Sequence, residues 1–329
     1  MSELHKFIFD GLPVRGVLVR LTDAWVEILQ RRASNSETGA YAKPVREMLG
    51  EMTAAATLMQ SNIKFDGALV LQIFGDGPVK VAVVEVLPDL SLRATATVTG
   101  SVAESATLSQ MVNASNQGKC AITLDPKTKF PGQQPYQGVV PLFDDNGRPI
   151  EKLSAVLEHY MLQSEQLDTT LVLAANESVA AGLLVQRLPL EGTGNLEGSL
   201  VSRENEDLIG LSEHYNRIAT LAGSLKREEL LALDVDTILR RLFWEEQITR
   251  FEPQTGDMAP RFSCNCSRAR VAKMILSLGR EEAEGLLAER GEIEVACEFC
   301  GVQYRFDPVD AAEIFTSADQ RVPGTPDIH

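Results

Sequence analysis

Apolar residues along this chain follow two different rhythms. Val45, Met48, Leu49, Met52, Ala56 and Met59 recur at three- and four-residue intervals, which predicts a helix over 45–59 with one buried stripe. Short β-rich runs follow at 68–74 and 79–87, joined by Gly75-Asp76-Gly77-Pro78, whose turn chemistry suits a hairpin. Residues 93–98 and 119–124 read as further strands, and 169–173 as one more. Between them, Ile150, Leu153, Leu157, Tyr160 and Met161 share a face of a helix over 149–166. Strands and helices interleave without a regular βαβ beat, so the expected class is α+β.

A boundary is expected where Leu190-Glu191-Gly192-Thr193-Gly194-Asn195 interrupts the pattern, giving an N-terminal α+β domain over 1–190. A helical linker over 191–255 comes next. Leu208, Leu211, Tyr215, Ile218 and Ala222 form one stripe, and Leu230, Leu231, Ile238, Leu239, Leu242 and Phe243 add more apolar surface. Helices this short must dock on something to bury such stripes. The rest divides into a small module over 256–315 and a tail over 316–329 that is expected to be disordered. Inside the module, Val271, Met274, Ile275 and Leu278 predict a helix ending at Gly279, and 281–290 a second, closed by Gly291. Two strands, 293–295 and 301–306, bracket a tight turn.

That module carries four of the five cysteines. Cys264 and Cys266 form a CxC pair, Cys297 and Cys300 a CxxC pair, and 30 residues lie between them. Two dithiols meeting across a folded loop supply the four ligands of a tetrahedral zinc. Such a site has no vacant position for water, so metal-assisted hydrolysis is not expected. Four thiolates and one Zn²⁺ leave a charge of about −2, which Arg261, Arg268, Arg270 and Arg305 are near enough in sequence to offset. Closing a loop of ~30 residues is worth roughly 3–4 kcal/mol on the chain-entropy model. Zinc binding itself is worth on the order of 10–16 kcal/mol in small metal-folded domains. Oxidation within each pair would leave the long loop open and forfeit both terms.

Composition narrows the partners. A net charge of −15 argues against nucleic acid, whose phosphates are bound by Lys and Arg. No run approaches the ~20 apolar residues of a membrane span, so no membrane partner is expected. The first residues contain no apolar stretch of signal-peptide length, which points to the reducing cytoplasm. There, paired cysteines bind metal or sense oxidants rather than staple folds. Cys120 stands alone in an apparent strand and reads as a buried thiol. His5, His159, His214 and His329 are scattered, and Gly75-Asp76-Gly77-Pro78 lacks the Gly-Lys-Ser/Thr of a phosphate loop. No catalytic constellation emerges, and an enzyme is not expected.

Several motifs together resemble one family. Phe262-Ser263-Cys264-Asn265-Cys266-Ser267, the helix to Leu278-Gly279, Glu294-Val295-Ala296-Cys297-Glu298-Phe299-Cys300 and Tyr304-Arg305-Phe306 form the C-terminal set. Val14-Arg15-Gly16, Ile63-Lys64-Phe65-Asp66-Gly67, Gly75-Asp76-Gly77-Pro78, the run from Tyr136 to Leu142 and Ser164-Glu165-Gln166-Leu167 form the N-terminal set. Their order closely resembles the redox-regulated bacterial chaperone family called heat shock protein 33. The likeness spans nearly the whole chain, with the tail and the loop at 127–135 less family-like. It implies an ATP-independent stress-response holdase that binds unfolding client proteins, inactive when reduced and zinc-bound, active when oxidised. By carry-over, one zinc per chain is held by Cys264, Cys266, Cys297 and Cys300, and these same residues form the redox disulfides. In such proteins the CxxC pair oxidises first, zinc leaves, the CxC pair follows and the linker loosens; a homodimer in the oxidised state is a further expectation. Two other readings stay open: a structural zinc protein with a dedicated partner, and a thiol oxidoreductase using Cys297 and Cys300.

Overall fold

The computed structural model describes residues 1–35, 39–128, 134–188 and 213–319. Its centre is helix α2 (Lys43–Asn62), buried at 14 of its 20 positions. The sequence periodicity predicts a single stripe, but this helix is covered almost all round. It lies between two sheets, so the run Ala54-Ala55-Ala56 and the hydroxyls of Thr53 and Thr57 are buried too. Both threonines donate to the carbonyl four residues back, which satisfies them without an outside partner. Gly50 faces Ala175 so closely that a Cβ would sit 2.4 Å from that methyl carbon.

The first sheet contains β1 (Glu3–Phe9), β2 (Val14–Leu21), β8 (Thr169–Ala175), β9 (Ala180–Arg187) and β10 (Ile248–Arg250), in the order β10-β1-β2-β9-β8. The second contains β3 (Gly67–Phe74), β4 (Val79–Val86), β5 (Ser91–Val98), β6 (Lys119–Pro126), β7 (Tyr136–Pro141) and β11 (Arg261–Phe262), ordered β11-β5-β4-β3-β6-β7. The α+β class expected from the pattern is observed. Strands β1, β2 and β9 and helix α1 (Asp23–Ala33) escaped the sequence reading. In β9 both faces are buried, so Ala180 to Val185 shows no polar alternation to mark it as a strand.

The outer face of the first sheet explains that burial. A helix over 213–223 (α5), α6 (Arg227–Ala232) and α7 (Val235–Phe243) cover it. Tyr215, Ile218, Ala222, Leu230, Ile238, Leu239, Leu242 and Phe243 pack on Phe7, Phe9, Leu18, Leu183 and Val185. Phe243 meets Phe9 edge-to-face with ring centroids 5.0 Å apart. Each such side chain contributes roughly 1.5–3 kcal/mol when fully buried. Leu208, Leu211 and the boundary at 190–195 lie outside the described residues. Polar ties add direction to this docking: Arg20 of β2 donates to the carbonyls of Leu230 (2.7 Å) and Leu231 (3.2 Å) at the end of α6. Arg227 reaches back to Glu47 (2.8 Å) and Glu51 (3.7 Å) on α2. Strand β10 then pairs with β1, and β11 lies parallel to β5, so 248–262 is stitched to both sheets.

Beyond Phe262 the chain forms α8 (Arg268–Leu278), α9 (Arg280–Arg290), the hairpin β12 (Ile293–Ala296) and β13 (Gln303–Phe306), and a last helix over Pro308–Asp319. Among the described residues, its buried apolar cluster is small: Ile275, Ala283, Ile293, Phe306 and Phe315. Met274 and Leu278, expected in a buried stripe, are each 52% exposed. The final helix runs past 315, so residues 316–319, expected in the disordered tail, are helical instead; 320–329 lie outside the described residues.

Glu51 generates a prediction. Burial raises its carboxyl to about 7 despite the opposing field of Arg227, with Glu47 adding to the rise. A carboxyl raised in the folded state contributes stability that is present below its unfolded value near 4.5 and lost as pH climbs through 7. The loss is on the order of 2–3 kcal/mol. Glu51→Gln should flatten the pH dependence of urea unfolding between pH 5 and 8; an unchanged slope would remove Glu51 as its source.

Candidate metal centre and redox site

Two local structures bring the cysteines together. Cys264 and Cys266 lie in extended chain just after β11, and Ser267 caps α8 by accepting the Arg270 N–H at 3.3 Å. Cys297 to Cys300 form the turn between β12 and β13. The Cys297 N–H donates to Val302 and the Gly301 N–H to the Cys297 carbonyl, and Gly301 has φ +72°, a conformation suited to glycine. Ser263 donates to the Leu92 carbonyl at 2.9 Å, so the pairing of β11 with β5 sets where Cys264 emerges.

The four Sγ atoms all lie within 4.8 Å of one another. A tetrahedron of thiolates around a metal at about 2.3 Å has edges of about 3.8 Å. Cys264 and Cys297 are 3.7 Å apart and Cys266 and Cys300 are 3.3 Å apart, so the donor set fits zinc in number, chemistry and spacing. None of the four is in a disulfide, and Cys300 is buried while the others are partly so. Proximity in the assembled centre does not select a disulfide pairing, because these two short separations run across the CxC and CxxC pairs.

As free thiols, Cys266, Cys297 and Cys300 differ. Burial opposes ionisation of Cys266, but hydrogen bonds from Tyr304 and the neighbouring thiols outweigh it and bring the group down to about 7. The Tyr304 hydroxyl donates to Cys266 Sγ at 3.1 Å, and that bond pushes its own hydroxyl up to about 12. Burial raises Cys297 and, more strongly, Cys300. Cys120, on β6, is fully buried, raised by desolvation to about 12, and not a member of the cluster.

The arginines near in sequence are mostly engaged elsewhere. Arg261 pairs with Asp89, Arg268 with Asp310 at 2.7 Å, and Arg305 with Glu294 at 3.1 Å. The guanidinium that reaches the sulfurs is Arg93 of β5, 3.8 Å from Cys264 Sγ. No sequence signal near the cysteines pointed to it, because it arrives 171 residues earlier in the chain.

The family model described as Hsp33 protein matches residues 2–307. The chain belongs to the Hsp33 family. It is 43% identical over 314 residues to the 33 kDa chaperonin of Chromobacterium violaceum, covering 95% of this chain and 94% of that protein. Against the 33 kDa chaperonin of Neisseria meningitidis serogroup A the figures are 38% over 312 residues, with 94% and 90% covered. Among solved structures, the crystal structure of the 33 kDa chaperonin (heat shock protein 33 homolog) of Thermotoga maritima superposes with a TM-score of 0.70. At 20% identity over 97% of this chain and 99% of that one, it speaks for the Hsp33 fold alone. Among the described residues, no helix of this Hsp33 chain is long and apolar enough to cross a membrane.

The donor set predicts stoichiometry. Reduced protein should carry one zinc per chain by metal analysis with thiol titration, retained in Cys120→Ser and reduced in Cys297→Ser. Full zinc in Cys297→Ser would remove that residue from the site.

Proposed function

We propose that this chain is a redox-regulated, ATP-independent holdase of the cytoplasm, inactive when reduced and metal-bound and activated by oxidation of its cysteine centre. The observation that carries the reading is the four-sulfur cluster built into a module whose own apolar cluster is small. Zinc, when bound, ties the two cysteine pairs together and closes the loop between them. Cys264, Cys266, Cys297 and Cys300 are the proposed ligands and the proposed redox residues.

The chemistry of the switch follows from the thiols. A thiolate Sγ attacks a peroxide oxygen, the O–O bond breaks, and hydroxide leaves as water on taking a proton. A second thiolate then attacks the sulfenic sulfur; the S–S bond forms and a second water departs. Two electrons pass from two sulfurs to one peroxide. Each disulfide would remove two thiolates from the set that would hold the metal. If the pairing is Cys297–Cys300 and Cys264–Cys266, the link across the long loop disappears. A core as small as the one around Ile293 and Phe306 cannot replace it. Loosening of the module then frees β11 and the segment leading back to α7. The partners proposed are unfolding client proteins, with a second copy of the chain in the oxidised state.

The thiol oxidoreductase reading is disfavoured by geometry. Cys300 is buried, and the CxxC turn joins two strands rather than opening a helix whose N-terminus would stabilise an attacking thiolate. The structural-zinc reading differs in one outcome. Aggregation of a thermally unfolding client should be unaffected by reduced protein and suppressed after peroxide treatment; equal inactivity in both states would favour a structural role. Peptide mapping of the active form should find Cys297–Cys300 and Cys264–Cys266, and mainly cross-pair bonds such as Cys266–Cys297 would contradict the open-loop mechanism.

A further inference from the structure

Arg93 begins as an ordinary cross-strand partner. It lies directly opposite Glu85 in the β4–β5 ladder, and its Nη2 donates to Glu85 Oε2 at 2.7 Å. A pair on two neighbouring strands needs nothing more from the guanidinium. Yet the other end of the group leaves the sheet. Its Nη1 donates to Asn265 Oδ1 at 2.8 Å and reaches Cys264 Sγ at 3.8 Å, while its face covers the Phe299 ring at 4.3 Å. Asn265 sits between the two cysteines of the CxC pair, and Phe299 between the two of the CxxC pair. One side chain, only 15% exposed, therefore touches both halves of the cysteine centre and the N-terminal sheet at once.

Neighbouring contacts place this group at a joint. Strand β11 pairs with β5 at Ser91 and Leu92, the residues immediately before Arg93, and its last bond is Ser263 N–H to the Leu92 carbonyl. Arg31 stacks over Phe262 at 4.6 Å on the same side. Of the contacts Arg93 makes, those to Cys264, Asn265 and Phe299 lie on the two segments that carry the cysteines, while that to Glu85 belongs to the sheet.

We propose that Arg93 is the positioning residue that couples the cysteine centre to the N-terminal sheet. With the centre assembled, the guanidinium faces a thiolate, an amide oxygen and an aromatic face, all placed by the two cysteine pairs. When the thiolates become disulfides, the negative charge goes and the two turns part; Arg93 then keeps only Glu85. The joint next to β11 thus senses whether the centre is intact. This deepens the switch reading and rests on it only for the activity measurement described below.

The test compares Arg93→Ala, Arg93→Lys and Phe299→Leu with the parent as full-length, reduced, zinc-loaded protein. Zinc content should stay at one per chain in all three. Amide exchange at 261–263 and 297–302 should accelerate about 10-fold in Arg93→Ala, the loss expected from one charge-assisted bond with a cation–π contact. Peroxide should consume the thiols several-fold faster. Arg93→Lys, which keeps the charge but not the planar fork, should fall between. Phe299→Leu leaves the Glu85–Arg93 pair untouched and decides by the same readouts if Arg93→Ala does not fold. Unchanged exchange and oxidation rates, or acceleration that appears only with zinc loss, would overturn the assignment. Accelerated exchange in reduced protein that still fails to suppress aggregation would support the coupling and count instead against linker release as the activating event.

Discussion

Four sulfur atoms, brought together across a gap of 30 residues, join the two ends of the C-terminal module. The module around them has little apolar core of its own: Met274 and Leu278 stand half-exposed, and its buried cluster centres on Ile275, Ala283, Ile293, Phe306 and Phe315. On the proposed reading, a metal link worth on the order of 10 kcal/mol would be large beside what the rest of the module supplies. On the proposed reading, concentrating stability in one chemically labile feature would let a small redox event have a large structural effect. The same module packed around a full core would be indifferent to its thiols.

The linker has the opposite energetics. Its helices α5, α6 and α7 bury a continuous apolar face on the first sheet, and Arg20, Glu47 and Glu51 fasten it with polar ties. Such a face does not detach for lack of contacts; it must be pulled or left unsupported at one end. The supporting end is the stretch 248–262, which runs from β10 on the first sheet to β11 on the second. In the proposed switch, this doubly paired stretch is what would carry a change at the cysteine centre to the apolar face.

Much of this was legible in the sequence, and the gaps have physical causes. The CxC and CxxC spacing pointed to a four-sulfur cluster, and the four Sγ atoms do come together. Strands β3 to β6 showed clear β-rich runs with recognisable turns. Strand β9 did not, since Ala180 to Val185 is covered by α2 on one face and the linker on the other, which erases alternation. Helix α2 was found but its all-round burial was not, because alanine and threonine look neutral until their neighbours are known. The docking partner of the Tyr215–Phe243 stripes was likewise hidden, being formed by Phe7, Phe9 and Leu183 from distant strands. Arg93 was invisible for the same reason: an isolated arginine in a strand carries no mark of the cysteine it approaches.

The central claim is that oxidation at the sulfurs is transmitted to the linker. Hydrogen exchange on the full chain, reduced and zinc-loaded against peroxide-treated, measures this directly, since it resolves local opening segment by segment. The account predicts that 213–250 and 261–306 lose protection on oxidation while α2 and β3 to β6 keep theirs. Protection retained across 213–250 in oxidised protein that nevertheless suppresses aggregation would contradict it and place the client surface on the N-terminal sheets.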